Sequence, residues 1–499
     1  VKTIAAIGIP KLFSCKFERE LLDALKDDYQ FEQGYTSANA EAYIDFVQQE
    51  LVPHLVNVAQ PRFIGHMTGP VPPLVHELHG CMGLFNQNLV KLETSGIATQ
   101  IEREVIGDLH RVFFNEPEEF YGRYTLNADY CLGNITSGGT LSNITALSYA
   151  LSKKLGNPED PAASINNIGL LKSMVSKGYT DIVVLGTAHS HYSMNKAMRL
   201  LGLGYQSFIK IDPDILKTEE GSAQLSTIIT AYKKTGTLVL ALVGVAGTTE
   251  AGIIDPLEMM AEVAAEHDVH FHVDAAFGGA FMFSDRLADK LQGISRADTI
   301  TLCGHKQLYL PMGISICMFK SPELAGYAEI NSHYQARKGG IDLGKYTIEG
   351  SRPFSAFIIH GVLQLIGKEG YAEILENNYD RAQFFGELVA AHGSFERYTS
   401  PELNIVLYRY VPAWLRSKIT KGVLSETEKQ ELNRLNVIIQ KHQFEKGNSF
   451  VSYTELPDAP GSQERTVWLR AVLMNPYTSP QDLQEILQEQ VSIAEAVIL

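Results

Sequence analysis

The sequence predicts an α/β fold: a mostly parallel sheet flanked by helices, with an N-terminal arm and a small α+β domain at the far end. Three observations carry this. Short apolar runs of strand length alternate with helical patterns through the middle of the chain. The first 95 residues are helical stretches broken by Pro53, Pro61, Pro70, Pro72 and Pro73. After about Leu365 long helical stretches surround two strand candidates. Buried parallel strands read as near-continuous apolar runs, and the helices between them supply the crossovers such a sheet needs.

The segment 1–95 is expected to be an arm that wraps a partner, because it cannot bury its apolar face alone. A large domain is expected over 96–365. It opens on a helix in which Ile101, Val105, Leu109, Val112 and Phe113 recur at helical spacing. The turn Ser137-Gly138-Gly139 precedes a helix expected over Thr140–Leu155. Strands are expected at Asp181–Gly186, Leu238–Gly244, His270–Asp274, Thr299–Cys303 and Ser315–Phe319. Pro256–His267 reads as a helix, since proline suits a first helical turn. In the C-terminal domain, 366–499, helices are expected at Tyr371–Ala391 and Glu426–Glu445, and strands at Ile405–Tyr410 and Val467–Leu473.

Composition narrows the function. The 499 residues carry 42 Lys+Arg against 57 Asp+Glu, a net charge of −15. Such an acidic surface disfavours nucleic acid and anionic membrane as partners. The five cysteines, Cys15, Cys81, Cys131, Cys303 and Cys317, contain no CxxC pair, so neither a disulfide framework nor a zinc site is expected. A reducing cytoplasm fits. No apolar run is long enough for a membrane helix, and Val1–Phe13 lacks the pattern of a secretory signal. The chain starts without Met, so trimming, or excision from a longer polypeptide, is expected.

Chemistry concentrates at two strand ends. In His272-Val273-Asp274-Ala275-Ala276-Phe277-Gly278-Gly279, Asp274 closes an apolar strand, where open α/β sheets place their ligands. In Thr299–Gly313, Lys306 follows His305 just after another apolar strand. A lysine desolvated in apolar surroundings is a nucleophile toward carbonyls. The two residues stand 32 positions apart on consecutive strands. Together they match the needs of pyridoxal 5′-phosphate: an amine to hold its aldehyde, and a carboxylate to keep its pyridine nitrogen protonated so that the ring accepts electrons from a bond broken at Cα. Ser137-Gly138-Gly139-Thr140 at a helix start offers N–H groups, hydroxyls and the positive helix end to a phosphate.

With these motifs, and with the runs Phe63-Ile64-Gly65-His66-Met67 and Asn86-Gln87-Asn88-Leu89-Val90-Lys91, the chain resembles the group II pyridoxal-phosphate decarboxylases of fold type I, the aspartate-aminotransferase-like architecture. The likeness spans about Pro61 to Glu489. It implies that Lys306 holds the cofactor, Asp274 faces the pyridine nitrogen, Ala276 packs under the ring and His191 stacks on it, with His189 structural. It implies a phosphate loop of Ser137, Gly138, Gly139 and Thr140, Thr249 near the ring, and His305 reaching the phosphate or the substrate carboxylate. Arg470 is expected to bind the substrate α-carboxylate, with His66 and Asn88 also in the substrate pocket. Tyr334, 28 residues after Lys306 and near Arg337-Lys338-Gly339-Gly340, resembles a mobile-loop tyrosine, and Tyr346 is its rival; either the loop tyrosine or His191 is expected to return a proton to Cα. A homodimer with composite active sites is implied.

Two departures from the common pattern stand out. Cys303-Gly304 replaces the Asn-Pro found before His-Lys in many relatives. Gly65-His66 replaces the Asn-Gln of animal-type glutamate decarboxylases. The expected substrate is a polar L-amino acid. Overall resemblance favours 2,4-diaminobutyrate, giving 1,3-diaminopropane, over glutamate, giving GABA, or aspartate, giving β-alanine. An acidic side chain would call on Lys91, Arg337 or Lys338, and diaminobutyrate on Asp342 or Glu349. A fold-type I transaminase or lyase, or a non-catalytic pyridoxal-phosphate-binding protein, is the remoter alternative.

Overall fold

The computed structural model describes residues 37–157, 160–330, 340–457 and 464–498. They form two compact units. One is Val71–Asn377; the other joins the described residues up to Pro70 with those from Asn378 onward.

The larger unit is built on seven strands: β1 (Gly133–Thr136), β2 (Asp181–Thr187), β3 (Phe208–Ile211), β4 (Thr237–Val245), β5 (His270–Asp274), β6 (Thr299–Cys303) and β7 (Ser315–Phe319). Their order is β1-β7-β6-β5-β4-β2-β3. The pairs β2–β3, β2–β4, β4–β5 and β5–β6 are parallel, while β7 runs antiparallel to both β1 and β6. This is the expected mostly parallel α/β sheet. β4, with the sequence Thr-Leu-Val-Leu-Ala-Leu-Val-Gly-Val, is buried throughout, as a strand covered on both faces must be.

Helices α1 (Ile97–Phe114), α2 (Gly139–Leu155), α3 (Ser193–Leu200) and α4 (Leu257–Glu266) pack around the sheet. Leu147, Leu151 and Leu155 of α2 and Met194 and Met198 of α3 join Val184, Leu240 and Val243 in one apolar cluster. The helix expected at Tyr371 begins earlier, at Ser355, and runs to Ala391 with a break at Gly367, whose φ is +66°. Glycine tolerates that left-handed backbone without a Cβ clash.

The smaller unit holds the antiparallel sheet β10-β11-β9-β8, from β8 (Phe395–Arg397), β9 (Ile405–Tyr410), β10 (Ser452–Pro457) and β11 (Arg465–Val472). Helices α5 (Glu426–Lys446) and α6 (Pro480–Ile498) cover it. Ser425 and Glu428 form a reciprocal capping box at the start of α5. Part of the segment expected as an arm is built into this unit. Ile64 donates its N–H to the Phe450 carbonyl at 3.0 Å and accepts from Val472. Its side chain lies in the core with Phe385, Tyr408 and Leu469. No helix among the described residues is long and apolar enough to cross a membrane.

One buried titratable group in the larger unit has a consequence for stability. His110 of α1 donates Nε2–H to the Phe319 carbonyl at 3.1 Å, while its Nδ1 accepts from the Tyr121 hydroxyl, also at 3.1 Å. Burial pushes its pKa from the ordinary 6.5 down to about 4. On acidification the unfolded chain therefore takes up this proton first. The contribution is whole above about pH 6.5 and drains away as the pH falls towards 4. We expect the calorimetric unfolding midpoint to drop across that window, and His110→Gln, which cannot titrate, to flatten the drop; an unchanged slope contradicts this.

Candidate active site

Asp274 is the last residue of β5, between β4 and β6 and opposite Val245 and Thr301. Its side chain is buried and fixed at both oxygens: Oδ2 accepts from Asn143 Nδ2 at 2.9 Å, and Oδ1 from the Ala276 N–H at 3.2 Å. Ala276 is the one residue between 271 and 280 that is not fully buried. The strand end thus presents a small, partly open methyl beside an immobilised carboxylate.

Lys306 lies three residues past the end of β6, in a turn held from several sides. Gly304 N–H donates to Ile314 O and Leu310 N–H to Gly304 O, both at 3.0 Å, and Tyr309 N–H donates to Lys306 O at 3.1 Å. The Tyr371 hydroxyl donates to Leu308 O at 2.8 Å. Tyr309 takes a φ of +55°, a conformation a bulky residue holds only when its surroundings impose it. A Cβ on Gly304 would come within 2.7 Å of Leu310 Cδ1, so a larger residue there would have to displace the Leu310 side chain. Within 301–310 only His305 and Lys306 are partly exposed.

His191 lies in the loop after β2. It accepts the Ser193 N–H at Nδ1, 3.3 Å away, which puts its own proton on Nε2 when neutral. Burial lowers its pKa; the Asp274 carboxylate opposes the shift and the Lys306 ammonium reinforces it, so its field couples to both. Cys303 couples to the same two charges, and burial pushes its thiol up. Gly139 closes the group: a Cβ there would sit 2.7 Å from Cys303 Sγ and 3.7 Å from the Ala276 Cβ. Gly138, the residue before α2, faces open space. Thr249 is partly buried in the turn that follows β4.

Asp274, Ala276, Lys306, His191 and the Gly138-Gly139 turn are therefore brought together. This donor set fits pyridoxal phosphate: an anchored anion, an accessible amine, a side-chain-free turn at a 17-residue helix and a partly open floor at Ala276. His189 Nδ1 and Ser190 Oγ are buried without hydrogen-bond partners among the described residues, leaving polar capacity beside His191.

Other expected residues have different surroundings. Asn88 uses its amide within the fold: Nδ2 donates to Ser351 Oγ, and Oδ1 accepts from the Val90 and Arg352 N–H groups. His66, in the smaller unit, is exposed and pairs with the Thr68 hydroxyl. Arg470 of β11 is buried on an interior strand, with Nη1 3.3 Å from Ser452 Oγ and 3.4 Å from the Gly65 carbonyl. Tyr334, Arg337 and Lys338 lie outside the described residues. Tyr346, the rival loop tyrosine, belongs to the core: it is 1% exposed, packs with Cys131 and Tyr149, and donates to the Ala128 carbonyl at 3.0 Å. That bond and that burial remove it as a mobile proton donor.

Sequence reasoning missed the polar residues behind Asp274. Asn143 also donates to Ser193 Oγ at 2.9 Å, and its Oδ1 meets His272 Nε2 at 3.0 Å. The signal was present: His272 and Asp274 are two apart on a strand and share a face.

The model of the pyridoxal-dependent decarboxylase conserved domain matches residues 30–411. The aspartate 1-decarboxylase of Aliivibrio fischeri is 38% identical over 470 residues, covering 93% of this chain and 84% of that protein. The L-2,4-diaminobutyrate decarboxylase of Rhizobium meliloti is 28% identical over 419 residues, 83% of this chain and 76% of that protein. Among solved structures, mouse CSAD superposes with a TM-score of 0.81 at 22% identity, covering 97% of this chain and 94% of that one. Oryza sativa TDC with PLP and tryptamine gives 0.80 at 18%, covering 99% and 95%. The chain belongs to the pyridoxal-dependent decarboxylase family and is a pyridoxal-phosphate-dependent carboxy-lyase acting on amino acids.

Proposed function

We propose that this enzyme removes the α-carboxylate of L-aspartate to give β-alanine, with Lys306 holding the cofactor and Asp274 facing its pyridine nitrogen. The observation that carries the site assignment is the clustering of Asp274, Lys306 and His191 at the carboxyl ends of neighbouring strands. When bound, pyridoxal phosphate supplies an electron sink for the bond broken at Cα. Asp274, fixed at both oxygens, supplies the matching anion. His191 and Ala276 would hold the cofactor ring. Gly138, Gly139, Thr140 and Ser137 seat the phosphate, with His305 and Thr249 close by. Arg470 would bind the substrate α-carboxylate and orient the substrate for loss of that group. Tyr334 returns a proton to Cα.

Aspartate is preferred over 2,4-diaminobutyrate for two reasons. The aspartate decarboxylase relative is the more similar, 38% against 28%, over a longer stretch. Asp342, one of the carboxylates that would receive a second substrate amine, is buried and accepts the Leu92 N–H at 2.6 Å, at the start of the short helix Leu92–Ser95. On the other side, Lys91 is already paired with Glu93 at 3.3 Å. A homodimer is the proposed assembly, supported by the exposed Leu84, Phe85 and Ile97 on the larger unit. A cytoplasmic location is proposed from the free thiols Cys81, Cys131, Cys303 and Cys317.

Borohydride reduction of the loaded enzyme followed by peptide mapping is expected to mark Lys306, and Lys306→Ala to slow turnover by at least about a hundredfold. A label on another lysine contradicts the assignment. Arg470→Lys, which loses the planar fork, is expected to raise KM about tenfold or more with cofactor affinity unchanged. CO2 release scored on aspartate, glutamate, cysteine sulfinate and 2,4-diaminobutyrate is expected to be fastest with aspartate; a faster diaminobutyrate reaction overturns the substrate proposal.

A further inference from the structure

Behind Asp274 runs a buried file of polar side chains whose polarity can be worked out. A carboxylate only accepts hydrogen bonds, so Asn143 must turn its Nδ2 to Asp274 Oδ2, 2.9 Å away. The other Nδ2 proton goes to Ser193 Oγ at 2.9 Å. That leaves Asn143 Oδ1 to accept from His272 Nε2 at 3.0 Å, so His272 carries its proton on Nε2. Burial pushes the His272 pKa well below its ordinary value and keeps the ring neutral, so its Nδ1 is an acceptor. Thr299 Oγ1, 2.9 Å from that Nδ1, must then donate to it. Having spent its proton, Thr299 Oγ1 accepts from His270 Nε2 at 2.8 Å. Asn143, His272, Thr299 and His270 are all at most 3% exposed.

Every donor in this file points towards Asp274. We infer that His272 and Asn143 are positioning residues, which hold the Asp274 carboxylate correctly aimed at the cofactor nitrogen through a one-way chain of hydrogen bonds from His270 and Thr299. The inference rests on the proposed role of Asp274. Aligned dipoles ending on a carboxylate fix which oxygen is held and at what angle, and the buried file leaves no room for water to do so from behind. The chain also uses the sheet's own geometry: His270, His272 and Asp274 alternate onto one face of β5, and Thr299 stands opposite His272 on β6. Asn143 reaches this face from the start of α2, so the helix that seats the phosphate also fixes the carboxylate.

The test is equilibrium binding of pyridoxal phosphate to the full-length protein stripped of cofactor, with the bound cofactor's absorption spectrum and the unfolding midpoint of the stripped form as companion readouts. His272→Phe is expected to weaken cofactor binding about 10- to 100-fold and to change the balance of absorption bands. His272→Gln, whose amide nitrogen falls near Nε2, is expected to stay within about threefold of the parent. His272→Asn, whose amide falls near Nδ1, is expected to behave like Phe. If the Phe variant does not fold, the Gln and Asn pair decides. Equal affinities and spectra for Gln and Asn, or the reverse order, overturn the inference, as does a loss confined to the unfolding midpoint. Asp274→Ala separates the two levels: if it binds the cofactor like the parent, the Asp274 assignment itself falls; if it binds poorly while all His272 variants bind well, only the chain behind it falls.

Discussion

A single carboxylate in a protein interior organises this fold. Asp274 is buried at the end of β5, and an ionised group there is tolerated only where donors surround it. The structure provides two, the Ala276 backbone N–H and the Asn143 amide on α2, and the imidazole of His272 in turn holds Asn143 from behind. The parallel pairing of β4, β5 and β6 delivers the carboxylate and the Lys306 turn to the same, carboxyl end of the strands. Removing the carboxylate would leave the Ala276 N–H and one Asn143 amide proton without an acceptor, so the site and the local fold share one electrostatic requirement.

The Lys306 turn shows a second constraint, of shape rather than charge. Gly304 is squeezed by Leu310, Tyr309 is held at positive φ, and Tyr371 bonds the turn from outside. Cys303, where many relatives carry Asn, turns its thiol to Gly139 and Ser315 instead. The departure from the common pattern thus exchanges a polar amide for a soft, packed contact beneath the Gly138-Gly139 turn.

How much of this was legible in the sequence follows physical lines. β5, β6, β7 and β9 were read with their correct limits, because interior strands bury both faces and appear as continuous apolar runs. The four strands that were missed, β1, β3, β8 and β10, are the edges of the two sheets. Each hides its signal in its own way: β10 alternates between half-buried and exposed residues, while β1 is buried but only four residues long and reads Gly-Asn-Ile-Thr, with one strongly apolar residue. At the site, Asp274 and Lys306 were visible because their chemistry contrasts with apolar flanks. Asn143 was not, because a polar residue within a helix reveals its partner only once the chain has folded, whereas His272 could have been read from its place two residues before Asp274 on the same strand face. Tyr346 was misplaced for the converse reason: its neighbours Lys345 and Thr347 look like a loop, yet Lys345 and Tyr346 are both buried.

The account stands or falls on where the cofactor nitrogen points. A crystal structure of the enzyme with pyridoxal phosphate measures this directly. The account predicts an Asp274 oxygen within about 3 Å of the pyridine nitrogen, and covalent continuity from the cofactor's aldehyde carbon to Lys306 Nζ. A nitrogen turned to another group, or a cofactor joined to a different lysine, contradicts it.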